Sequence, residues 1–212
     1  MAASPRPQEN SRTRLLTATI DLVRENGYAA TRVEDVCAAA GVTKGSFFHH
    51  FASKEELAIA AASQWNDRAA NLFAHAGFHQ LSGALQRLLG YVAFRKRLLD
   101  GDIWEWSCYA GSTIQEVHET HPELRDACAA SIDNHLTFLG AMIDEVLREH
   151  PVEGVTATSL AIHMQAVMQG AFVMAKARQD RQAAVDSLEH LHRYVEMLFS
   201  DSTTRHTRKT PR

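Results

Sequence analysis

At 212 residues, 45% of them hydrophobic and 22% charged, the chain is long enough to bury one large core or two small ones. Its net charge of −3 excludes binding through a broad basic face, and no window approaches 18 consecutive apolar residues, which excludes a spanning helix. Cys37, Cys108 and Cys128 are odd in number and irregularly spaced, so they read as reduced thiols rather than a disulfide framework. The leading MAASPRPQENSR has no apolar run and does not read as a secretory signal, so a cytoplasmic protein without a membrane partner is expected.

Residues 1–10 are small, polar and proline-interrupted, and are expected to form a disordered arm. A first helix is predicted from Ser11 to Asn26, with Leu15, Leu16, Ile20, Leu22 and Val23 at helical spacing and Gly27 as its stop. The stretch TRVEDVCAAAGVTKGSFFHHFASKEEL, residues 31–57, then carries three punctuation marks. Thr31 and Glu34 form a T-x-x-E capping box, and Gly41 supplies a left-handed turn. Thr43 caps a second helix through Phe51, and Ser53 with Glu56 starts a third. Such a helix-turn-helix lays its second helix in the DNA major groove.

Within that helix Phe47 and Phe51, four apart, face inward, which turns Lys44, Gly45, Ser46, Phe48 and His49 outward. Gly45 lets a backbone come close, and Lys44 can reach guanine O6/N7 or a phosphate. Cations are few. Arg6, Arg12, Arg14, Arg24, Arg32 and Lys44 stand against Glu9, Asp21, Glu25, Glu34 and Asp35 in the first 51 residues, so DNA binding rests on placement rather than net charge.

From Lys54 a long helix is predicted to about Ala76, roughly 33 Å at 1.5 Å per residue. The segment AGFHQLSG breaks it, and a helix from Ala84 to Asp100 follows with Leu85, Leu88, Val92 and Leu99 on one face. Residues 102–120 are aperiodic but rich in Trp, Tyr and Cys. Pro122 suits the first turn of a helix running to about His150, and two more are predicted at Thr158–Arg178 and Gln182–Phe199. Residues 200–212 read as a frayed basic tail. With proline scarce and no strand alternation, the fold class is all-α.

Phe73, Phe94, Trp104, Trp106, Cys108, Tyr109, His118, His135, Phe138, Met142 and His163 are candidates to line a ligand cavity, or else ordinary core. Cys108 has a sharper reading as an electrophile- or redox-sensing thiol. His118, His121, His135 and His163 invite a metal site, but no compact Cys/His motif surrounds them, so neither metal nor cofactor is expected. No catalytic constellation is present, and no enzyme is expected. On the final helix Ala184, Leu188, Leu191, Val195 and Leu198 repeat at 4-3-4-3 spacing. With Met164, Val167, Met168, Ala171 and Ala175 before it, that stripe is wider than one neighbour needs.

The run AAAGVTKGSFFHHFASKEEL, extended back to about Arg12, closely resembles the DNA-binding domain of the tetracycline-repressor (TetR) family. The remainder is similar in length and helical character only. The resemblance implies a helix-turn-helix domain at 11–57 and a helical ligand-binding and dimerisation domain at 58–199. It implies a double-stranded DNA operator, a small-molecule effector and a homodimer joined through a four-helix bundle. Thr31, Thr43, His50 and Lys54 match the family's phosphate-contacting positions, and Phe48 stands where the family usually has a tyrosine. The expected function is a ligand-responsive repressor of a pseudo-palindromic operator. The alternatives are a helical ligand-binding protein that no longer binds DNA and a thiol sensor acting through Cys108.

Overall fold

The structure, a computed structural model, describes residues 10–205, with side chains as far as Ser200. The arm before Asn10 and the tail beyond Arg205 lie outside the described residues. Ten helices and no strand occur among the described residues. The helices α1 (Ser11–Asn26), α2 (Val33–Ala40), α3 (Lys44–His50) and α4 (Lys54–Ala74) come first. A 3-10 turn at Gly77–Gln80 separates them from α5 (Ala84–Arg97), α6 (Ile103–Trp106) and α7 (Tyr109–Val117). The chain closes with α8 (Pro122–Glu149), α9 (Ala157–Arg178) and α10 (Arg181–Arg205). The all-α class is as expected. α10 carries on through residues read as tail, and 102–120 holds two short helices that no periodicity announced.

Two compact units emerge. One comprises the residues up to Ala69 together with Cys108–Ser131; the other comprises Ala70–Ser107 and the residues from Ile132 onward. Residues 108–131, expected in the C-terminal domain, thus group with the helix-turn-helix.

The first unit is built on Leu15, Ile20, Val36, Phe47 and Leu57, all fully buried. Each such side chain contributes roughly 1.5–3 kcal/mol by leaving water. α7 adds Tyr109, whose hydroxyl donates to the Ala58 carbonyl at 3.0 Å. Caps set the helix starts. Asn10 Oδ1 accepts from the Thr13 N–H at 2.8 Å, Thr43 Oγ1 from Ser46 at 3.1 Å, and Ser53 Oγ from Glu56 at 3.0 Å. Gly41 has φ 62° and ψ 41°, the left-handed turn its position demanded.

Thr31 does not cap α2. Its hydroxyl donates to the Gly27 carbonyl at 2.7 Å, and the helix starts two residues later. There Asp35 accepts from the Arg32 N–H at 3.3 Å and from the Arg32 guanidinium at 2.9 Å. The chain enters α2 one residue later than a T-x-x-E box would have it, so Glu34 is left to other partners.

The second unit packs Leu88 and Tyr91 of α5, Leu139, Ile143 and Val146 of α8, Met164 and Met168 of α9, and Val195 and Phe199 of α10. This corrects the expected dimer surface. Met164, Met168, Ala171, Ala184, Leu188, Leu191 and Val195 are buried within the chain, and Val167 and Leu198 are half-buried. The 4-3-4-3 stripe of α10 faces α9 and α5 of its own chain. The apolar surface left exposed is another face: Ile162, Val173 and Met174 on α9, and Tyr194 and Met197 on α10.

Candidate nucleic-acid interface and aromatic cluster

α3 presents one uninterrupted outward face. Thr43, Lys44, Gly45, Phe48 and His49 are exposed, whereas Phe47 is fully buried. Phe48 is 61% exposed, an unusual position for a phenylalanine with no function outside the fold. Its ring stands edge-on to Phe47 at 5.0 Å, which anchors it to the core below. Thr43 accepts the Ser46 N–H while its own O–H can still donate outward.

Lys44 is paired with Glu34 of α2, Nζ to Oε1, at 2.5 Å. The pair lowers the Glu34 carboxyl below its usual range and raises the Lys44 ammonium, chiefly through their mutual hydrogen bond. Both side chains are exposed, so solvent screens the pair and a nucleic acid can displace Glu34 at little cost. His50 is tied to α1 by a 2.6 Å bond between its Nε2 and Ser11 Oγ, and is half-buried.

Two of the expected DNA contacts are turned inward. Thr31 is buried with its hydroxyl committed to Gly27. Lys54 donates from Nζ to the Tyr28 carbonyl at 2.9 Å and the Thr31 carbonyl at 3.0 Å, and lies over the Tyr28 ring at 4.2 Å. Burial lowers its pKa from the ordinary lysine value, with Glu116 opposing the shift. Lys54 is therefore a clasp on the turn after α1, because those carbonyls fall outside any helix and need a donor.

A residue that sequence reading missed closes the same turn from the other side. Glu116 of α7 accepts the backbone N–H groups of Tyr28 and Ala29, both at 2.9 Å. A side chain on Gly27 would meet Glu116 Oε1 at 2.7 Å, so glycine there serves the close approach as well as the φ of 91°. No local signal announces Glu116, because its partners lie in α1's exit loop.

In the second unit an aromatic cluster assembles from α4, α5, α8 and the 3-10 turn. The Phe73 ring lies 4.7 Å from His135, 5.7 Å from Tyr91, 5.9 Å from Phe94 and 6.0 Å from Phe138. Phe78 joins through Tyr91 at 5.8 Å and Phe94 at 5.7 Å. The Tyr91 hydroxyl sits 2.7 Å from His135 Nε2 and 3.8 Å from Met168 Sδ. Both contacts are satisfied when Nε2–H donates to the tyrosine oxygen and the phenol donates to sulfur. Burial, helped by Arg95, pushes the His135 pKa down to about 3, so the imidazole is neutral at physiological pH.

Four of the expected ligand residues, Phe73, Phe94, His135 and Phe138, thus come together, and Trp106 lies beside Phe172 at 5.6 Å. Met142, one turn beyond Phe138, and Trp104 are half-buried. The others lie elsewhere. Tyr109 is fully buried in the first unit's core, with Trp65 at 6.5 Å. His118 is exposed, 3.8 Å from Glu119. His163 packs edge-on to Tyr194 at 5.2 Å, on the exposed α9–α10 face. Cys108 opens α7, its Sγ accepting the Gly111 N–H at 3.3 Å, and is partly exposed. Burial raises the Cys128 thiol to about 12, with Cys108 contributing. Among the described residues no three His, Cys, Asp or Glu side chains come together as a metal site. No helix there is long and apolar enough to cross a membrane.

Residues 15–61 match the family "Bacterial regulatory proteins, tetR family", and residues 84–191 match "Tetracyclin repressor-like, C-terminal domain". The chain is 47% identical over 47 residues to the HTH-type transcriptional regulator CymR of Pseudomonas putida (22% of this chain, 23% of that one). It is 31% identical over 93 residues to the regulator UidR of Escherichia coli K12 (42% and 47%). It is 48% identical over 46 residues to the transcriptional repressor KstR2 of Rhodococcus jostii (22% of each). The chain thus spans less than half the length of these curated relatives. In fold it is similar to a TetR-family regulator from Agrobacterium tumefaciens, with TM-score 0.77 and 20% identity over 89% of this chain and 97% of that one. A TetR regulator from Chloroflexus aurantiacus gives 0.76 and 26% over 88% and 94%. Matched by its family over both the helix-turn-helix and the helices that follow, the chain belongs to the TetR family of bacterial regulatory proteins.

Proposed function

We propose that the protein is a cytoplasmic homodimeric repressor that leaves a pseudo-palindromic operator when a small molecule binds its second unit. The observation that carries the reading is the exposed Phe48 between Gly45, Lys44 and His49 on α3. Gly45 lets the helix approach, Phe48 offers an apolar contact to a thymine methyl, and Lys44 exchanges Glu34 for guanine or phosphate. Thr43 and His50 flank the face as phosphate contacts. The relative named a repressor supports that direction of control.

Dimerisation is supported by Ile162, Ala166, Gly170, Val173, Met174 and Ala177, which share one exposed face of α9, with Tyr194 and Met197 beside them on α10. Small residues at 166, 170 and 177 let two helices pack closely, and the long apolar ones bury area. The ligand reading rests on the aromatic cluster.

A gel shift with a pool of source-genome fragments at low salt tests the operator, with sedimentation equilibrium for the dimer. Selective retention of one fragment class by a dimer is expected. Uniform retention, or none at micromolar protein, overturns it. Met197→Glu with Gly170→Arg is expected to give a folded monomer whose operator affinity falls at least about tenfold, since two half-sites are then bound separately.

A further inference from the structure

The aromatic cluster holds an arginine with no carboxylate. Arg95, partly buried on α5, places Cζ 5.4 Å from the Phe73 ring and 5.8 Å from the Phe172 ring. No Asp or Glu oxygen lies within 4 Å of it among the described residues, whereas its neighbour Lys96 is bridged to Glu189 at 2.7 Å. Its polar neighbours are the Tyr91 hydroxyl and His135, which is neutral. Aromatic faces compensate a guanidinium's charge only in part, and the Tyr91 hydroxyl is a single hydrogen-bond partner, so no acid meets its planar fork of N–H donors among the described residues.

The same side of the unit carries buried polar atoms with no partner among the described residues: Trp106 Nε1, Gln165 Oε1 and Gln169 Nε2. Trp106 and Gln165 are 9% and 8% exposed. Gln165, Gln169 and Phe172 stand at i, i+4 and i+7, one face of α9, and Phe172 touches both the Trp106 ring and the Arg95 guanidinium. Buried donors and acceptors are nearly always satisfied, because each one left unmade keeps the full penalty of leaving water. Three together with an unpaired cation describe a site built for something the chain does not itself supply.

We infer that this constellation binds an organic monocarboxylic acid with an apolar body, its carboxylate on Arg95 and its hydrocarbon or ring among Phe73, Phe94, Phe138 and Phe172. The charge fits one carboxylate rather than a phosphate, since among the described residues Arg95 is a part-buried cation of the cluster without an acid partner and His135 carries no charge. Arg97, stacked at 5.7 Å on Phe94, is exposed and acts at most as an entry guide. Trp106 and Gln169 donate to the second carboxylate oxygen or to a hydroxyl on the body, and Gln165 accepts from such a hydroxyl. The inference rests on the ligand-responsive reading above and names its chemical class.

Titration calorimetry of the full-length protein with 3-phenylpropanoate and octanoate, each against its neutral primary amide, tests this. Acids are expected to bind the wild type at least about tenfold more tightly than amides, the worth of one charge-assisted hydrogen-bond pair. Arg95→Gln is expected to erase the difference by weakening the acids alone, and Arg95→Lys to keep part of it, with thermal melts confirming that both variants fold. Trp106→Phe should weaken the acids several-fold without removing their preference. Equal affinity for acid and amide, an acid preference surviving Arg95→Gln, or no binding of either acid overturns the inference. Operator release run in parallel separates the two claims. Release by amides and acids alike sinks the acid site but leaves the ligand-responsive reading, whereas Arg95-dependent binding without release does the reverse.

Discussion

Each unit holds a part-buried cation, and the two are used in opposite ways. In the first, Lys54 is given to two carbonyls, Glu116 to two backbone N–H groups and Lys44 to Glu34. In the second, Arg95 has no acid partner among the described residues, and Trp106, Gln165 and Gln169 hold unmatched polar atoms. The first unit is a scaffold whose polar groups hold turns in place, so that a short α3 can be presented rigidly. The second keeps polar groups in reserve among aromatic rings. A recognition helix needs an unstrained platform, while a binding site needs groups whose best partner comes from outside.

Variants that disturb this contrast rank by expected effect. Lys54→Ala strips two turn carbonyls of their donor and is expected to lower stability by about 3 kcal/mol, from about 1–3 kcal/mol per unmet group. Chemical denaturation checks it, and a loss below about 0.5 kcal/mol would make Lys54 a surface residue after all. His135 tests the second unit by pH. Its folded pKa of about 3 lies below its ordinary 6.5, so between those values the unfolded chain binds the extra proton. Stability therefore falls as pH drops below about 6.5, by up to about 1.4 kcal/mol per pH unit, and the loss levels off near pH 3. His135→Gln should flatten that slope in denaturation curves taken from pH 7 to 4; an unchanged slope would place the acid sensitivity elsewhere.

Glu116→Gln keeps one acceptor and loses the charge, so a smaller drop of about 1–2 kcal/mol is expected, measured by thermal melts. Smallest is Lys44→Ala. Removing an exposed pair should leave the denaturation midpoint unchanged while operator affinity falls about tenfold or more and base preference relaxes. If affinity holds and stability falls, the Lys44–Glu34 pair is scaffold and the contrast between units loses its clearest boundary.

Much of the first unit was legible because its signals are local. Thr43, Ser53 and Gly41 act within four residues of their own positions, and Phe47 and Phe51 declare the inner face of α3 by spacing alone. Thr31 misled because a threonine hydroxyl serves a preceding carbonyl as readily as a following N–H, and only the turn's path decides. Lys54 and Glu116 act across the fold, where sequence has no reach. The dimer stripe failed for a different reason. Both α9 and α10 carry apolar residues on more than one side, so the heptad spacing of α10 cannot say which side meets its own chain. Aromatic type pointed to Phe73, Phe94 and Phe138, but nothing in the run Arg95–Lys96–Arg97 marks Arg95 out from its neighbours, because only the fold decides which of the three turns toward the rings.

The ion pair between Lys44 and Glu34 also bears on how the protein searches a genome. Non-specific DNA binding grows with the number of cations free to displace counterions, and here the lysine of the reading face must first leave Glu34 while Lys54 is turned away. Under the proposed reading, dwell times on random sequence should be short, and the operator reached by repeated three-dimensional encounters rather than long sliding. Such a protein loses little of its population to bulk DNA. If the chain is the dimeric regulator proposed above, occupancy of its operator then follows the concentration of free dimer closely, so small changes in expression or in dimer stability are felt directly at the promoter.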